Sequence, residues 1–352
     1  MEFLWEIGLF LVKAIIIVGG ILAVVAGIAA AGSKGEASGH IKVRSLSDEY
    51  RDSQNMLESE LLDADTLKKK HKQEKKEAKA RKKAKKKSGE GDQTKEDALK
   101  PRIFVLDFHG DIRASAVSHL REEVTAILGQ ALPTDKVLVR LESSGGMVHS
   151  YGLASSQLQR IRDKGIPLTI AVDKVAASGG YMMACLADEL LAAPFAILGS
   201  VGVMAQVPNI HKLLKKHNVD VELHTAGEFK RTLTVMGENT EKGRQKFIED
   251  LEKTHDLFKD FVASARPVVD VEQISTGEIW YGTQAIAMKL VDVLKTSDAY
   301  LCECFEQEES VYLISWSEKK TLPQKLGLSV QQAVTGSVSA LWEKLQSSRF
   351  PG

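Results

Sequence analysis

Cysteine is scarce in this chain: three occur in 352 residues, Cys185, Cys302 and Cys304. Three thiols cannot build a disulfide framework, Cys302 and Cys304 stand too close for an easy bridge, and the spacing is not that of a zinc site. Net charge is lacking too, since 47 basic residues balance 47 acidic ones. That balance hides an asymmetry. Lys68 to Lys87 hold 13 Lys/Arg against two Glu, a surplus of 11 that leaves the rest of the chain correspondingly acidic. The basic run contains no aromatic residue on which bases would stack, which argues against a nucleic-acid partner. It reads as a solvated spacer, with contact to anionic membrane lipid as the sharper alternative.

Charged residues are absent from Ala14 to Ser33, between Lys13 and Lys34. Twenty apolar or small residues, at a rise of about 1.5 Å each, are enough to cross the hydrocarbon core of a bilayer. A cleaved signal peptide would place a shorter apolar region behind basic residues, whereas Glu2 and Glu6 open this one. Residues 1–33 are therefore expected to form an uncleaved N-terminal transmembrane anchor. A second weakly charged stretch, Leu190 to Ile210, contains Pro194, Gly199, Gly202 and Pro208. It suits buried strands and turns rather than a span.

Residues 34–98 are expected to be a charged, Lys-rich spacer, helical from Ser47 to about Lys87, and a folded domain follows over 99–297. Strand-like runs recur at Ile103–Phe108, Val137–Leu141, Pro167–Val172 and Glu189–Ala193, alternating with helical patterns at Ala116–Leu132 and Tyr151–Arg162. Such alternation predicts an α/β fold with parallel strands covered by helices. Further on, a helix (Asn209–Asn218), a strand (Val219–His224), a long charged helix (Thr240–Ala265) and a short helix after Gly282 are expected. The C-terminal extension, 298–352, carries Leu326, Val330, Val334, Val338, Leu341, Trp342 and Leu345 at the spacing of an amphipathic helix.

The candidate chemistry centres on Ser178, in Val175-Ala176-Ala177-Ser178-Gly179-Gly180-Tyr181. A buried strand ends before it and a helical run follows, which puts a hydroxyl beside free N–H groups at a helix start. The serine could attack a carbonyl there while amides hold the oxyanion; the plainer alternative is a helix-capping serine. Two loops are candidates for the same crevice: Glu142-Ser143-Ser144-Gly145-Gly146 at a strand end, and Gly199-Ser200-Val201-Gly202. A base is harder to find. No histidine stands in a distinctive setting, and the Gly-x-Ser-x-Gly elbow is absent because position 176 is alanine. Lys230, in Gly227-Glu228-Phe229-Lys230, remains one lysine among many on composition alone.

Taken together, Ala177-Ser178-Gly179-Gly180-Tyr181, Gly199-Ser200-Val201-Gly202-Val203, Gly227-Glu228-Phe229-Lys230 and Gly277-Glu278-Ile279-Trp280-Tyr281-Gly282 running on to Leu290-Val291-Asp292 resemble the signal peptide peptidase A family of Ser–Lys proteases. The resemblance covers essentially the whole chain. It implies a ClpP/crotonase-like spiral of ββα units, with Ser178 as nucleophile and Lys230 as general base. Gly145 and Gly179 would be the oxyanion donors, and Ser200 would orient the lysine. It further implies no cofactor or metal and a bacterial inner-membrane location. Apolar peptide or membrane-protein substrates follow from it, as does a homo-oligomer whose protomers share active sites. Two positions depart from the family pattern: Ser144 replaces a common proline, and Lys289 stands where glycine is common. A crotonase-like acyl-thioester enzyme and a catalytically dead membrane scaffold are the alternatives. The basic residues beyond the anchor favour a cytoplasmic domain, although long domains can cross regardless.

Overall fold

Phe104, Leu106 and Phe108 pack on one face of a strand while Ile103 and Val105 pack on the other, and all five are buried. A strand buried on both faces needs cover on both, and this requirement organises the computed structural model. The structure describes residues 39–63 and 101–318, with a few isolated positions elsewhere. The chain divides into a unit of Ile41–Trp316 and a second unit of the two termini, Met1–His40 and Ser317–Gly352, in which few positions are described.

The larger unit runs β1 (His40–Ser45), α1 (Leu46–Leu61), β2 (Arg102–Gly110), α2 (Val117–Leu128), β3 (Lys136–Ser143), α3 (Val148–Asp163), β4 (Leu168–Val172), β5 (Val175–Ala177), α4 (Gly179–Ala184), β6 (Glu189–Ala192) and β7 (Ile197–Gly199). There follow α5 (His211–Lys216), α6 (Glu241–Ala265), α7 (Val271–Ile274), β8 (Ile279–Tyr281), α8 (Gly282–Ala285), β9 (Val293–Leu294), α9 (Ser297–Glu306) and β10 (Ser310–Ser317). The main path of the sheet is β1-β10-β2-β3-β4-β6-β9. From β10 to β9 every neighbouring pair is parallel.

The sheet forks at β3. Val137 to Arg140 pair with β4, while Ser143, at the strand's end, pairs with Ala176 of β5. A side branch β5-β7-β8 continues from there, with β8 antiparallel at its edge. Helices α2 and α3 cover one face of the sheet with Leu120, Val124, Ile127, Leu158 and Ile161. Leu301 and Cys304 of α9 cover Val105, Leu138 and Leu191 on the other. Thr240 and Thr296 cap α6 and α9 by accepting the N–H groups of Gly243 and Ala299, which satisfies donors a helix start leaves open.

The α/β expectation is borne out. Of the expected spacer helix, Leu46–Leu61 is described and most of the remainder to Lys87 lies outside the described residues. The details differ in three places. β1, inside the stretch expected to be spacer, joins the sheet beside β10. α9 and β10 lie past position 297 and belong to the same sheet and core. The strand expected at Val219–His224 is not formed: these residues are exposed and pair with no other strand. Among the described residues, their alternating Val219, Val221 and Leu223 have no strand to pair with, and a lone strand is not stable in water. The expected anchor and the amphipathic tail lie outside the described residues. Among the described residues, no helix is long and apolar enough to cross a membrane.

Lys289 adopts a φ of +57°, the left-handed region that favours glycine. Its carbonyl accepts a 2.9 Å bond from the buried Arg266 guanidinium, which also reaches the Asp292 carboxylate at 2.6 Å. Asp292 in turn accepts the N–H of Leu190 at 2.7 Å. This network ties the end of α6 to β6 through the Leu290-Val291-Asp292 turn. Replacing Arg266 by Met removes the bonds to the Lys289 carbonyl and to the partly exposed Asp292 carboxylate and should lower unfolding stability by about 1–2 kcal/mol, read from denaturant titration; an unchanged midpoint would mean that the network contributes little.

Candidate active site

Parallel strands end together, and ligands of such sheets bind beyond their carboxyl ends. In this fold the ends of β3, β5 and β7 are brought side by side by the register pairs Ser143 with Ala176 and Ala177 with Gly199. Ser178 is the first residue beyond β5. It therefore emerges between the glycine loop that follows β3 and the Gly199-Ser200 turn that follows β7.

Ser178 has φ +53° and ψ −119°. A non-glycine residue in this region carries strain of about 1–3 kcal/mol, and such residues concentrate at functional sites. The conformation is held on both sides: its N–H donates to the Gly199 carbonyl at 2.8 Å, and its carbonyl accepts the N–H of Met182 at 3.0 Å. The side chain is half-buried and makes no capping hydrogen bond to α4. A capping serine must accept an N–H of the first helical turn. That role is not filled here, so the strained backbone presents a hydroxyl with no structural duty.

The other residues singled out in the sequence fall into two groups. Gly145 has φ +88°, and a Cβ there would lie 2.7 Å from the Ser178 Cβ and 2.8 Å from the Gly179 nitrogen. Gly179 is buried at the first position of α4, where a helix leaves its N–H groups without intrahelical partners. A Cβ on Gly179 would collide with the Tyr151 ring. Ser200 (φ +52°) is half-buried one residue beyond the Ala177–Gly199 pair, its N–H held by the Glu278 carbonyl at 2.6 Å. Backbone pairing thus gathers Ser178, Gly145, Gly179 and Ser200. Lys230 is not gathered with them. It sits on an exposed loop, its N–H bonded to the Gly227 carbonyl at 3.2 Å, and among the described residues its ammonium makes no hydrogen bond or ion pair.

Competing chemistry is poorly provided for nearby. Cys185, on the turn after α4, is fully buried, and burial pushes its thiol up to about 12, so it is no thiolate at neutral pH. His149 and His217 are exposed and bond nothing at the site. Among the described residues no cluster of His, Cys, Asp and Glu is placed to hold a metal ion.

Sequence reasoning missed the residues behind the glycine loop. The Gly145 N–H donates to Ser143 Oγ at 3.0 Å, Ser143 Oγ lies 2.5 Å from Tyr151 Oη, and Tyr151 O–H donates to the Asp111 carbonyl at 2.8 Å. Tyr151 and Ser143 are almost completely buried, and burial pushes the phenol upward, so it stays a neutral donor. The one available signal was a lone tyrosine six residues after Gly145, in the first turn of the helix that follows the glycine loop.

With a hydroxyl on a strained strand-to-helix turn and glycine amides beside it, the comparisons with known proteins become decisive. Residues 2–158 match the peptidase family S49 N-terminal region, and residues 160–310 match peptidase family S49. The chain is 54% identical over 295 residues to the probable protease SohB of Haemophilus influenzae, covering 84% of this chain and 83% of that protein. This chain belongs to peptidase family S49. The probable protease SohB of Buchnera aphidicola subsp. Acyrthosiphon pisum is likewise 54% identical, over 231 residues that cover 66% and 68% of the two chains. As a protease of family S49, the chain has peptides as its substrates.

A Gly145→Ala substitution tests the glycine loop. The new methyl collides with Ser178 and Gly179, and the left-handed backbone adds strain. Peptide hydrolysis should fall about 100-fold or more, as when an oxyanion donor is lost. Activity within a factor of about two of the unaltered chain, with the melting temperature unchanged, would remove this loop from the site.

Proposed function

We propose that the chain is a membrane-anchored serine endopeptidase of the ClpP/crotonase type that cleaves apolar peptides with a Ser178–Lys230 dyad. The observation that carries this reading is the Ser178 backbone at φ +53°, flanked by Gly145 and Gly179, with its hydroxyl unused by the fold. Ser178 Oγ attacks the scissile carbonyl carbon while neutral Lys230 takes the hydroxyl proton. The amides of Gly145 and Gly179 hold the oxyanion, and Ser200 orients the amine. The tetrahedral adduct collapses by breaking the C–N bond, and the leaving amine takes the proton from Lys230. Water then attacks the acyl-enzyme, giving its proton to Lys230; the ester C–O bond breaks as Ser178 Oγ takes that proton back, which restores the hydroxyl and the neutral amine.

Lysine acts as a base only when neutral. A free lysine, with a pKa near ~10.4, is neutral in about one molecule per thousand at pH 7. Lys230 is exposed in the single chain, so the desolvation that favours a neutral amine must come from elsewhere. A neighbouring copy is the source we infer. Residues 203–240 are almost wholly exposed, and Met204, Leu213, Leu223 and Phe229 lie open to solvent along them. An apolar arm of this kind is suited to lying against a second protomer. It would bring its own Lys230 to the partner subunit's nucleophile. Anchoring by residues 14–33 in a bacterial inner membrane would concentrate the enzyme where apolar peptides gather, with lipid as its second partner.

Two measurements check this. Mixed Ser178→Ala and Lys230→Ala chains should regain part of the activity that each lacks; no recovery after confirmed co-assembly would contradict sharing between protomers. In the unaltered enzyme, kcat/KM should rise with pH, as a base that works only when neutral requires. Lys230→Met should lose about a thousand-fold or more, and substantial residual activity would refute the base. Fluorophosphonate labelling of Ser178 separates this enzyme from an acyl-thioester enzyme or a scaffold, neither of which has an activated serine.

A further inference from the structure

The hydrogen-bond chain behind the glycine loop has a direction. Asp111 offers only a carbonyl oxygen, so the Tyr151 hydroxyl is the donor to it at 2.8 Å. Its single proton is then spent, and Tyr151 Oη must accept from Ser143 Oγ at 2.5 Å. Ser143 has likewise spent its proton, and its oxygen accepts the Gly145 N–H at 3.0 Å. No member can reverse without leaving a buried donor unpaired, which is costly. The orientation of the Gly145 peptide is therefore fixed by a phenol on a different element, eight residues from Ser143 along the chain.

Tyr151 touches the other side of the site as well. Its ring lies so close beneath Gly179 that a Cβ there would fall 2.7 Å from Cδ2 and 2.8 Å from the tyrosine Cβ. Room for its hydroxyl exists because residue 110 is glycine: a Cβ there would collide with Tyr151 Oη and lie 2.5 Å from Ser143 Oγ. One fully buried side chain is thus in contact with Gly179 through its ring and, through Ser143, with the amide of Gly145.

We infer that Tyr151, acting through Ser143, is the positioning residue that sets the spacing of the two amides flanking Ser178. The ring supports Gly179 from below, the hydroxyl fixes Ser143, and Ser143 fixes the Gly145 peptide. When negative charge develops on the substrate oxygen, the Gly145 N–H is shared between it and Ser143 Oγ as a three-centre bond, so the chain behind it still holds the peptide while the amide donates. This rests on the reading of Ser178 as nucleophile and adds what holds its oxyanion partners in place.

Tyr151→Phe keeps the ring and removes the hydroxyl. The full-length protein in detergent is compared with this variant by the rate of fluorophosphonate labelling of Ser178 and by kcat and KM on an apolar peptide. Displacing a donor by a fraction of an ångström should lower labelling and kcat about 10-fold while KM moves by about two-fold or less. The double variant Ser143→Ala/Tyr151→Phe should fall no further than the worse single variant, because one chain is cut twice. A folded Tyr151→Phe that labels and turns over at the unaltered rate overturns the inference, as does a double variant whose losses multiply. Should Tyr151→Phe fail to fold, Ser143→Ala is read by the same split between kcat and KM, with the same outcomes on either side. If the unaltered protein is not labelled, or is labelled elsewhere than Ser178, the reading beneath the inference fails instead.

Discussion

Everything at the site depends on one short strand. β5 is three residues long, yet it is paired on both sides, with β3 at Ser143 and with β7 up to Gly199. That double pairing leaves the chain no room to relax after Ala177. Ser178 is held in the left-handed region by a bond to Gly199 behind it and by the first turn of α4 ahead. A strained residue persists only when its surroundings over-determine it, and here the surroundings are the fork of the sheet itself.

The same fork explains why glycines crowd the site. Three backbones, from the loops after β3 and β7 and from the start of α4, converge on one serine. At Gly145 and Gly179 the approach excludes even a methyl group. Tyr151 fills the space beneath them and satisfies the polar groups that close packing would otherwise bury unpaired. Rigidity on this side contrasts with the exposed 203–240 segment, which carries Lys230 and packs against little of its own chain. Under the proposed mechanism one half of the chemistry is built into the fold and the other half is completed by assembly.

Sequence and structure agree where burial is complete. Ile103–Phe108, Val137–Leu141 and Pro167–Val172 were legible as strands because strands covered on both faces read as unbroken apolar runs. β1 was not: with Lys42 and Arg44 among six residues it is polar, as an edge strand can be, and reads as part of the charged spacer. Val219–His224 failed in the opposite sense, because its alternating pattern has no partner strand among the described residues. At the site, Ser178 and its glycines were legible as small residues at a strand-to-helix junction. Ser143, Tyr151 and Asp111 were not, since what joins them is the meeting of three elements, and no spacing along the chain announces it.

The central claim is that Ser178 of one protomer works with Lys230 of another. Disulfide trapping tests it most directly, with Ser178→Cys chains mixed with Lys230→Cys chains in the membrane and oxidised gently. The account predicts a covalent dimer that forms only when both variants are present and that joins those two positions in the peptide map. A membrane in which the two chains demonstrably co-assemble yet only monomers or bridges through Cys302 appear would contradict it.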